Sequence, residues 1–232
     1  MKIKINIIKL FNATYAISIK SLYGSRYTID WGDNFSESFT GTGKPQKHSH
    51  NFAAYLTGQN YTVAIEASSN AITGIYMRDT ATTIGNFISV RLANIDVSQC
   101  DSLEQLALPQ FSGIEKLNLK GNPRLRNLSI ECHSITTIDL TYNPKIEYLY
   151  LALCRNLKTL DLRNCPSLKV LDIVGTYSLQ KLYLNEHAKL SRVALSSNSR
   201  IHFNAGQLME IARRNNATIK FYYNSQLSQD TI

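Results

Sequence analysis

Ile114-Glu-Lys-Leu117-Asn-Leu119 is the phrase that decides the fold, because close variants of it recur from residue 72 to residue 201. Each variant has an apolar residue, two variable residues, a second apolar residue, one variable residue and a third apolar residue. An amphipathic helix would instead need apolar residues at i, i+3, i+4 and i+7, so the fixed period predicts a solenoid of stacked coils. The second apolar positions lie 11 residues apart, with one step of 10, and are Ile95, Leu106, Leu117, Leu128, Ile138, Leu149, Leu160, Leu171, Leu182 and Val193.

Two kinds of phrase alternate, so one coil spans 21 or 22 residues. The first kind ends in a turn residue at its ninth position, which is Cys100, Asn122, Asn143, Cys165 or His187. The second kind is exemplified by Leu149-Tyr-Leu151. A coil of this length lies within the range of leucine-rich repeats. The chain resembles leucine-rich-repeat proteins, most closely the short-repeat kind of bacterial surface and secreted proteins. This resemblance implies a protein-binding solenoid at the cell surface or outside the cell.

The first 69 residues alternate polar and apolar positions in several short runs, which predicts strands. Within them, Tyr27-Thr-Ile-Asp-Trp-Gly-Asp-Asn34 resembles the strand and turn of PKD-like domains, which have an immunoglobulin-type fold. His50-Asn-Phe52, followed by Tyr61-Thr-Val-Ala-Ile65, resembles the next segments of the same family. The resemblance implies an N-terminal β-sandwich. Asn34 and Phe52 depart from the Gly and Tyr that are usual at these positions, although Asn tolerates the left-handed backbone region that such a turn needs.

The sequence divides into three predicted parts without a visible linker. They are a PKD-like sandwich over residues 1–69, a leucine-rich-repeat solenoid over residues 70–201, and a C-terminal cap and tail over residues 202–232. Ile72–Met77 already has the spacing of a repeat and is expected to be the first solenoid strand. Asn204-Ala-Gly-Gln207 resembles a capping box, which predicts a helix and then a strand that close the last coil. The final stretch, Ser225–Ile232, is expected to be a disordered tail. The predicted fold class is therefore mainly β.

Composition excludes several classes of function. The net charge of +8 comes from 25 Lys and Arg against 17 Asp and Glu, and these cations form no basic block along the sequence. A nucleic-acid footprint needs clustered cations, so we expect no nucleic-acid partner. No run of about 18 apolar residues is present, so we expect no membrane span. The first ten residues alternate in polarity and predict a strand rather than a signal peptide.

The four cysteines lie at or beside the turn of a phrase, where a thiol acts as a small buried apolar group. Cys100 and Cys165 share a column but lie three coils apart, about 14 Å at the spacing of neighbouring strands, which is too far for a disulfide. Cys154 and Cys165 belong to opposite walls of the coil. Because no cysteine spacing matches a zinc site, we expect Cys100, Cys132, Cys154 and Cys165 to be free, structural thiols.

No motif indicates catalysis, a cofactor or a metal. The chain has no phosphate-binding Gly-Lys-Ser/Thr loop, no His-Glu-x-x-His and no Gly-x-Ser-x-Gly, so we expect that it is not an enzyme. Asp30, Asp33, His48 and His50 could form a metal cluster, but no third ligand is placed beside the two histidines. We expect instead that Asp33 closes a turn through its own backbone and that Asp30 orders the end of a strand.

The outward positions of the second kind of phrase form the candidate binding face. Tyrosines near the middle of the array, with a polar surround, have the chemistry of a protein-binding patch. Bulky side chains also suit strands for packing reasons alone. We expect a monomer that binds a protein; a glycan-binding accessory module and a passive spacer are the alternatives. The predicted site residues are Tyr148, Tyr150, Val170, Asp172, Arg192, Asn127 and Glu131.

Overall fold

The computed structural model describes residues 1–9, 14–52, 58–77, 83–84, 87–88, 90–108, 113–196, 205–223 and 226–227. Within these ranges the chain is mainly β, with 21 strands and one helix. No helix in the same ranges is long and apolar enough to cross a membrane. The predicted fold class is confirmed: β-strands form a solenoid that a C-terminal helix and strand close.

The N-terminal part is a sandwich of two sheets, as its alternating sequence predicts. In the first strand the isoleucines, such as Ile5, are buried and the lysines, such as Lys4, are exposed. One sheet contains strands β1, β6, β3 and β4, and the other contains β2 and β5. Side chains pack between the layers, since the rings of Tyr15 and Trp31 lie 6.4 Å apart. The strands are β1 (Lys2–Lys9), β2 (Thr14–Ser21), β3 (Arg26–Asp30), β4 (Ser36–Thr40), β5 (Pro45–Asn51) and β6 (Gln59–Ala67).

The turn after β3 keeps the backbone that its sequence predicts. Gly32 has φ 84° and Asn34 has φ 70°, so the asparagine occupies the left-handed region in place of a glycine. A side chain at position 32 would also collide with the backbone, because an added Cβ would lie 2.6 Å from the Thr62 carbonyl oxygen. Only glycine fits at position 32, whereas the side chain of Asn34 is exposed to solvent and meets no such obstacle.

Strand β7 (Ile72–Tyr76) joins the sandwich to the solenoid. On one side it pairs antiparallel with β2, where Ile75 faces Ile19. On the other side it pairs parallel with β11 (Gln105–Leu108), where Ile75 faces Leu106. Ile72–Met77 therefore begins the parallel ladder, as its repeat spacing predicts, and the same ladder continues into the sandwich.

The sandwich sheet that contains β1 is extended by β10 (Val90–Asp96), which pairs antiparallel with β1. Ile95 faces Ile5 in this pairing. We expected Ile95 to be an ordinary member of the repeat array, but its strand belongs to the sandwich sheet. Two short strands that precede it, β8 (Thr83–Ile84) and β9 (Phe87–Ile88), pair antiparallel with each other.

Two walls form the solenoid. The strand-lined wall contains β7, β11, β13 (Asn127–Glu131), β15 (Tyr148–Ala152), β17 (Val170–Val174) and β19 (Arg192–Ser196), which pair parallel and in register. The opposite wall contains the shorter strands β12 (Lys116–Leu117), β14 (Thr137–Ile138), β16 (Thr159–Leu162) and β18 (Lys181–Leu184). Leucines point inward from both walls, and Leu149 and Leu160 are both fully buried.

Buried asparagines tie the coils together at the turn after the opposite wall. The Asn143 side-chain amide donates to the carbonyls of Leu119 at 3.0 Å and Asn122 at 2.9 Å in the preceding coil. In the last coil this position belongs to Ala188, which is buried, and not to His187, which is exposed. The expected turn residue there was wrong by one position, because the last opposite strand is followed by an extra turn residue.

The C-terminal end is closed as predicted. Helix α1 (Ala205–Asn215) buries Leu208 and Ile211, and strand β20 (Thr218–Tyr223) pairs parallel with β19. Asn204, the expected capping residue, lies outside the described residues. Strand β21 (Gln226–Leu227) pairs antiparallel with β20, so the expected disordered tail is wrong for these two residues. A strand pairs here because β20 would otherwise present an open edge.

Candidate functional site

The strand-lined wall displays two columns of outward positions. Because its strands pair in register, Asn127, Tyr148, Val170 and Arg192 lie side by side in the first column. The second column contains Tyr76, Ala107, Ser129, Tyr150, Asp172 and Ala194. Side chains two residues apart on a strand point to the same face, so both columns face the same way and define one surface.

A groove of about 440 Å³ lies across this surface. Six of the seven predicted site residues line it, and Glu131 does not. Glu131 lies at the end of β13, two residues beyond Ser129, and outside the groove. The groove has the size of a small-ligand or side-chain site. Its predicted lining residues are Asn127, Tyr148, Tyr150, Val170, Asp172 and Arg192.

Tyr76 is a third aromatic side chain of the groove, which we did not predict. It lies in β7 and occupies the same column as Tyr150. Its hydroxyl donates to the Gln105 side-chain carbonyl. Burial and the negative charge of Glu104 raise the pKa of Tyr76. The signal was present in the sequence, because Tyr76 follows Ile75 as Tyr150 follows Leu149.

Two alanines at outward positions of the second kind of phrase are buried rather than exposed. Ala107 is 7% exposed and Ala194 is 1% exposed. Their positions in the column are as predicted, but each methyl group is flanked by larger side chains. Ala107 lies between Tyr76 and Ser129 on neighbouring strands. Ala107 therefore deepens the surface between Tyr76 and Tyr150 rather than contributing to its exposed area.

An ion pair closes one end of the groove. The Arg192 guanidinium donates to the Asp172 carboxylate at 2.5 Å, and the Asp172 side chain is only 15% exposed. The other carboxylate oxygen of Asp172 is buried, as is the Ser129 hydroxyl, and neither has a hydrogen-bond partner among the described residues. Ser129 and Asp172 flank Tyr150 on the two neighbouring strands. A buried polar atom without a partner favours any rearrangement that supplies one.

Charges alternate along the edge of the groove where the strands begin. Glu147 bonds to Arg126 in the coil before it and to Lys169 in the coil after it, the latter at 2.6 Å. The hydrogen bond from Lys169 lowers the pKa of Glu147 against the opposing effect of burial, and Arg126 lowers it further. The cations nearest the groove are therefore paired with carboxylates of the same wall.

The histidines of the sandwich are used for packing. His50 stacks between Trp31 at 5.1 Å and Phe35 at 5.3 Å, and its Nε2 lies 2.7 Å from the Asp33 carboxylate. His48 lies 2.8 Å from the Tyr27 hydroxyl, and burial lowers the pKa of His48. Among the described residues, no group of three or more His, Cys, Asp or Glu side chains could hold a metal ion.

The roles expected for the two aspartates near these histidines need correction. The Asp30 carboxylate accepts the Gly32 N–H at 2.9 Å, so Asp30 closes the turn. Asp33, which we expected to do so, contacts His50 across the sandwich. The turn needs one acceptor at its first position, and Asp30 already fills it, which leaves Asp33 available for the histidine.

All four thiols are buried and none is in a disulfide. Burial raises the pKa of Cys100 to about 11 and the pKa values of Cys154 and Cys165 to about 12. Nucleophilic cysteines require the opposite shift, toward the thiolate. These thiols instead fill the turns of the coils, and that of Cys100 donates to the Ile72 carbonyl at 3.4 Å.

Comparison with known proteins gives one structural likeness. The functional domain of InlJ from Listeria monocytogenes, described as including a cysteine ladder, aligns with 58% of this chain at 16% identity and a TM-score of 0.35. The chain spans 42% of the length of that structure. No protein-family model and no curated protein matches the chain. The solenoid assignment rests on the pairing of the strands of this chain itself.

Proposed function

We propose that this chain is a non-catalytic binding module that engages a protein partner through the groove of the strand-lined wall. The observation that carries the proposal is the arrangement of Tyr76, Tyr148 and Tyr150 around one groove. Tyrosine is enriched at binding hot spots because its ring is large and rigid and its hydroxyl can still form a hydrogen bond. The leucine-rich-repeat resemblance of the sequence supports a location at the cell surface or outside the cell.

The arrangement of charge supports a protein partner over a strongly charged ligand. Asp172 is paired with Arg192, and Glu147 is paired with Arg126 and Lys169. The aromatic centre therefore has a polar but nearly balanced surround. Hot spots of protein interfaces have this composition, with a central anchor that is shielded from water by surrounding contacts.

A glycan is the second candidate ligand for the groove. The Tyr148 side chain is 46% exposed, and an exposed ring on a rigid strand can stack on a sugar ring. The remaining candidate is a spacer, in which the wall binds nothing and the solenoid only separates other parts of a surface protein. These candidates differ in which ligand, if any, binds to the groove, so binding measurements distinguish them.

The test uses a matched pair of tyrosines on the two walls. Linear peptides are first selected on the intact chain from a random display library. These peptides should bind the Tyr148→Ala variant about tenfold more weakly than the intact chain, because the variant lacks one anchor. They should keep their affinity for Tyr183→Ala, because Tyr183 is 40% exposed in a strand of the opposite wall. Equal binding to both variants would contradict the proposal.

A glycan array run in parallel distinguishes the alternatives. Glycans that bind the intact chain and are lost in Tyr148→Ala would assign the groove to a sugar. Failure of both libraries to yield a ligand sensitive to Tyr148 would leave the spacer as the explanation.

A further inference from the structure

The opposite wall of the solenoid carries five exposed cations, which outnumber its carboxylates Glu115, Asp139 and Asp161. Its cations come from sequence positions that are far apart, which is why no basic block is visible along the chain. The fold collects them on one face of consecutive coils. All five are exposed, and they are Lys116, Lys120, Lys158, Arg163 and Lys181.

These cations differ from those of the strand-lined wall because most of them are unpaired. Lys116, Lys158 and Lys181 form no ion pair with any described residue, and only Arg163 holds a carboxylate, that of Asp161, at 2.6 Å. Exposed lysines with no partner keep their full attraction for an external anion. On the strand-lined wall, by contrast, Arg126, Lys169 and Arg192 all form ion pairs within the wall.

Exposed aromatic rings lie among these cations. Tyr142 is 51% exposed and lies 5.5 Å from the Lys120 ammonium, measured to the ring centroid. Tyr183 is 40% exposed and lies 5.0 Å from the Arg163 guanidinium. The cation of each pair helps to hold its ring in place. The wall therefore offers two positioned faces for stacking as well as positive charge.

Hydroxyl groups fill the space between the lysines. Lys116 pairs with Thr137 across neighbouring strands, and Lys181 pairs with Thr159 in the same way. Both threonines are exposed. A single column of the wall thus has a lysine at each end and hydroxyls between them, and every member can donate a hydrogen bond to a ligand.

We propose that the opposite wall binds an acidic polysaccharide, with its lysines on carboxylate or sulfate groups and its tyrosines stacked on sugar rings. The polymer would cross the coils along the column that runs from Lys116 to Lys181. This surface is separate from the groove of the strand-lined wall, so the inference stands whether or not the groove binds a protein.

The spacing of the cations favours a polysaccharide over a nucleic acid. Lys116 and Lys181 lie three coils apart, about 14 Å at the spacing of parallel strands. Each strand of a DNA duplex presents a phosphate about every 3.4 Å along the helix axis, so a duplex would leave most of its charge unmatched here. Asp139 and Asp161 also lie on this wall and would repel a dense row of phosphates. A polymer with sparse charge avoids both penalties.

The test measures binding of the intact chain to hyaluronan, which carries one carboxylate for every two sugars, and to uncharged dextran. Lys116→Gln/Lys181→Gln should weaken hyaluronan binding about tenfold, the combined effect of two exposed charge contacts. The matched control is Lys44→Gln/Lys47→Gln, which removes the same charge from exposed positions of the sandwich. The control should bind hyaluronan like the unchanged chain.

Tyr183→Ala should also weaken hyaluronan binding, although it leaves the charge unchanged, because it removes a stacking face. Tighter binding of a single-stranded oligonucleotide than of hyaluronan would overturn the proposal in favour of a nucleic acid. Equal binding of dextran, or an equal loss in both lysine double variants, would overturn it as well. Equal binding of dextran would show that charge plays no part in binding. An equal loss in both lysine double variants would show that the opposite wall is not the binding surface.

Discussion

The two walls of the solenoid come from alternate phrases of one repeat, yet they satisfy their backbones in different ways. On the strand-lined wall, strands of four or five residues pair continuously from β7 to β19. On the opposite wall, strands of two to four residues pair only as β12 with β14 and β16 with β18. On the opposite wall, side chains supply hydrogen bonds that the short strands lack. The carboxylates of Asp139 and Asp161 each accept the N–H of the residue two positions later. A wall held by its backbone can vary its outward side chains, whereas a wall held by side chains cannot vary all of them.

The walls also handle charge differently. Cations of the strand-lined wall are paired with carboxylates of neighbouring coils, and most cations of the opposite wall form no ion pair with a described residue. The first arrangement leaves an aromatic groove with a balanced surround, and the second leaves an exposed basic face. One short repeat can therefore present two chemically distinct surfaces, because its alternate phrases are free to differ at outward positions.

Removal of residues 1–69 should have the largest effect, because the ladder of the strand-lined wall continues into the sandwich and β10 completes a sandwich sheet. Strand β7 would lose its pairing with β2, and β10 would lose its pairing with β1. Exposed strand edges with an apolar interior promote aggregation, and the ends of repeat arrays need covering. We expect residues 70–232 alone to be poorly soluble, or to melt on the order of 10 °C below the intact chain.

Calorimetry of the intact chain and of both fragments checks this expectation. The intact chain should unfold in a single transition, since the buried apolar side chains of the sandwich and solenoid form one continuous cluster. Two independent transitions, each reproduced by its own fragment, would mean that a true linker exists near residue 70. The solenoid walls would then have to be stable without the sandwich sheets.

Asn143→Ala should have the next largest effect, because it tests how the opposite wall is held. The substitution removes two buried hydrogen bonds to carbonyls of the preceding coil, at a cost of about 2 kcal/mol in the free energy of unfolding. Asn118→Ala is the matched control. Asn118 is exposed and accepts one bond from the Lys120 N–H at 3.2 Å, so its loss should cost about 0.5 kcal/mol. Equal urea midpoints for the two variants would show that buried asparagines are not what joins the coils.

The repeat period predicted the solenoid because it depends only on which residues are apolar. Leu149 and Leu160 are buried in neighbouring coils, as the pattern requires. The period could not show that Ile95 lies in a sandwich strand, because pairing with β1 depends on a segment some 90 residues earlier in the chain. It also could not place Ala188 in the last turn, because the stretch after Ala188 is one residue shorter and Leu182 and Val193 therefore remain 11 residues apart.

The site was predicted in part for a similar reason. Outward positions follow from alternation along a strand, so Tyr148, Tyr150 and Asp172 were identified and lie around one groove. Depth does not follow from alternation, because it depends on the sizes of neighbouring side chains across the ladder. This explains why Ala107 is buried, and why Tyr76, which flanks it, completes the groove.

Glu147→Gln should have the smallest effect and tests whether paired charge stabilises the strand-lined wall. The substitution removes the ion pairs with Arg126 and Lys169, at a cost of about 0.5–1 kcal/mol at pH 7. The pKa of Glu147 is lowered from its ordinary 4.5, so the stability that it contributes is fully present above about pH 4.5. That contribution is lost as the pH falls through the lowered pKa of the folded chain.

The difference in stability between the intact chain and Glu147→Gln should therefore be constant from pH 7 to pH 5 and should shrink below pH 4.5. Glu115→Gln provides the comparison on the opposite wall, where Glu115 is exposed and forms no ion pair with a described residue. It should change stability by less than about 0.5 kcal/mol at any of these pH values. A gap for Glu147→Gln that is as large at pH 3 as at pH 7 would show that the carboxylate acts through packing. The contrast in charge between the two walls would then concern only what they bind and not how they are held.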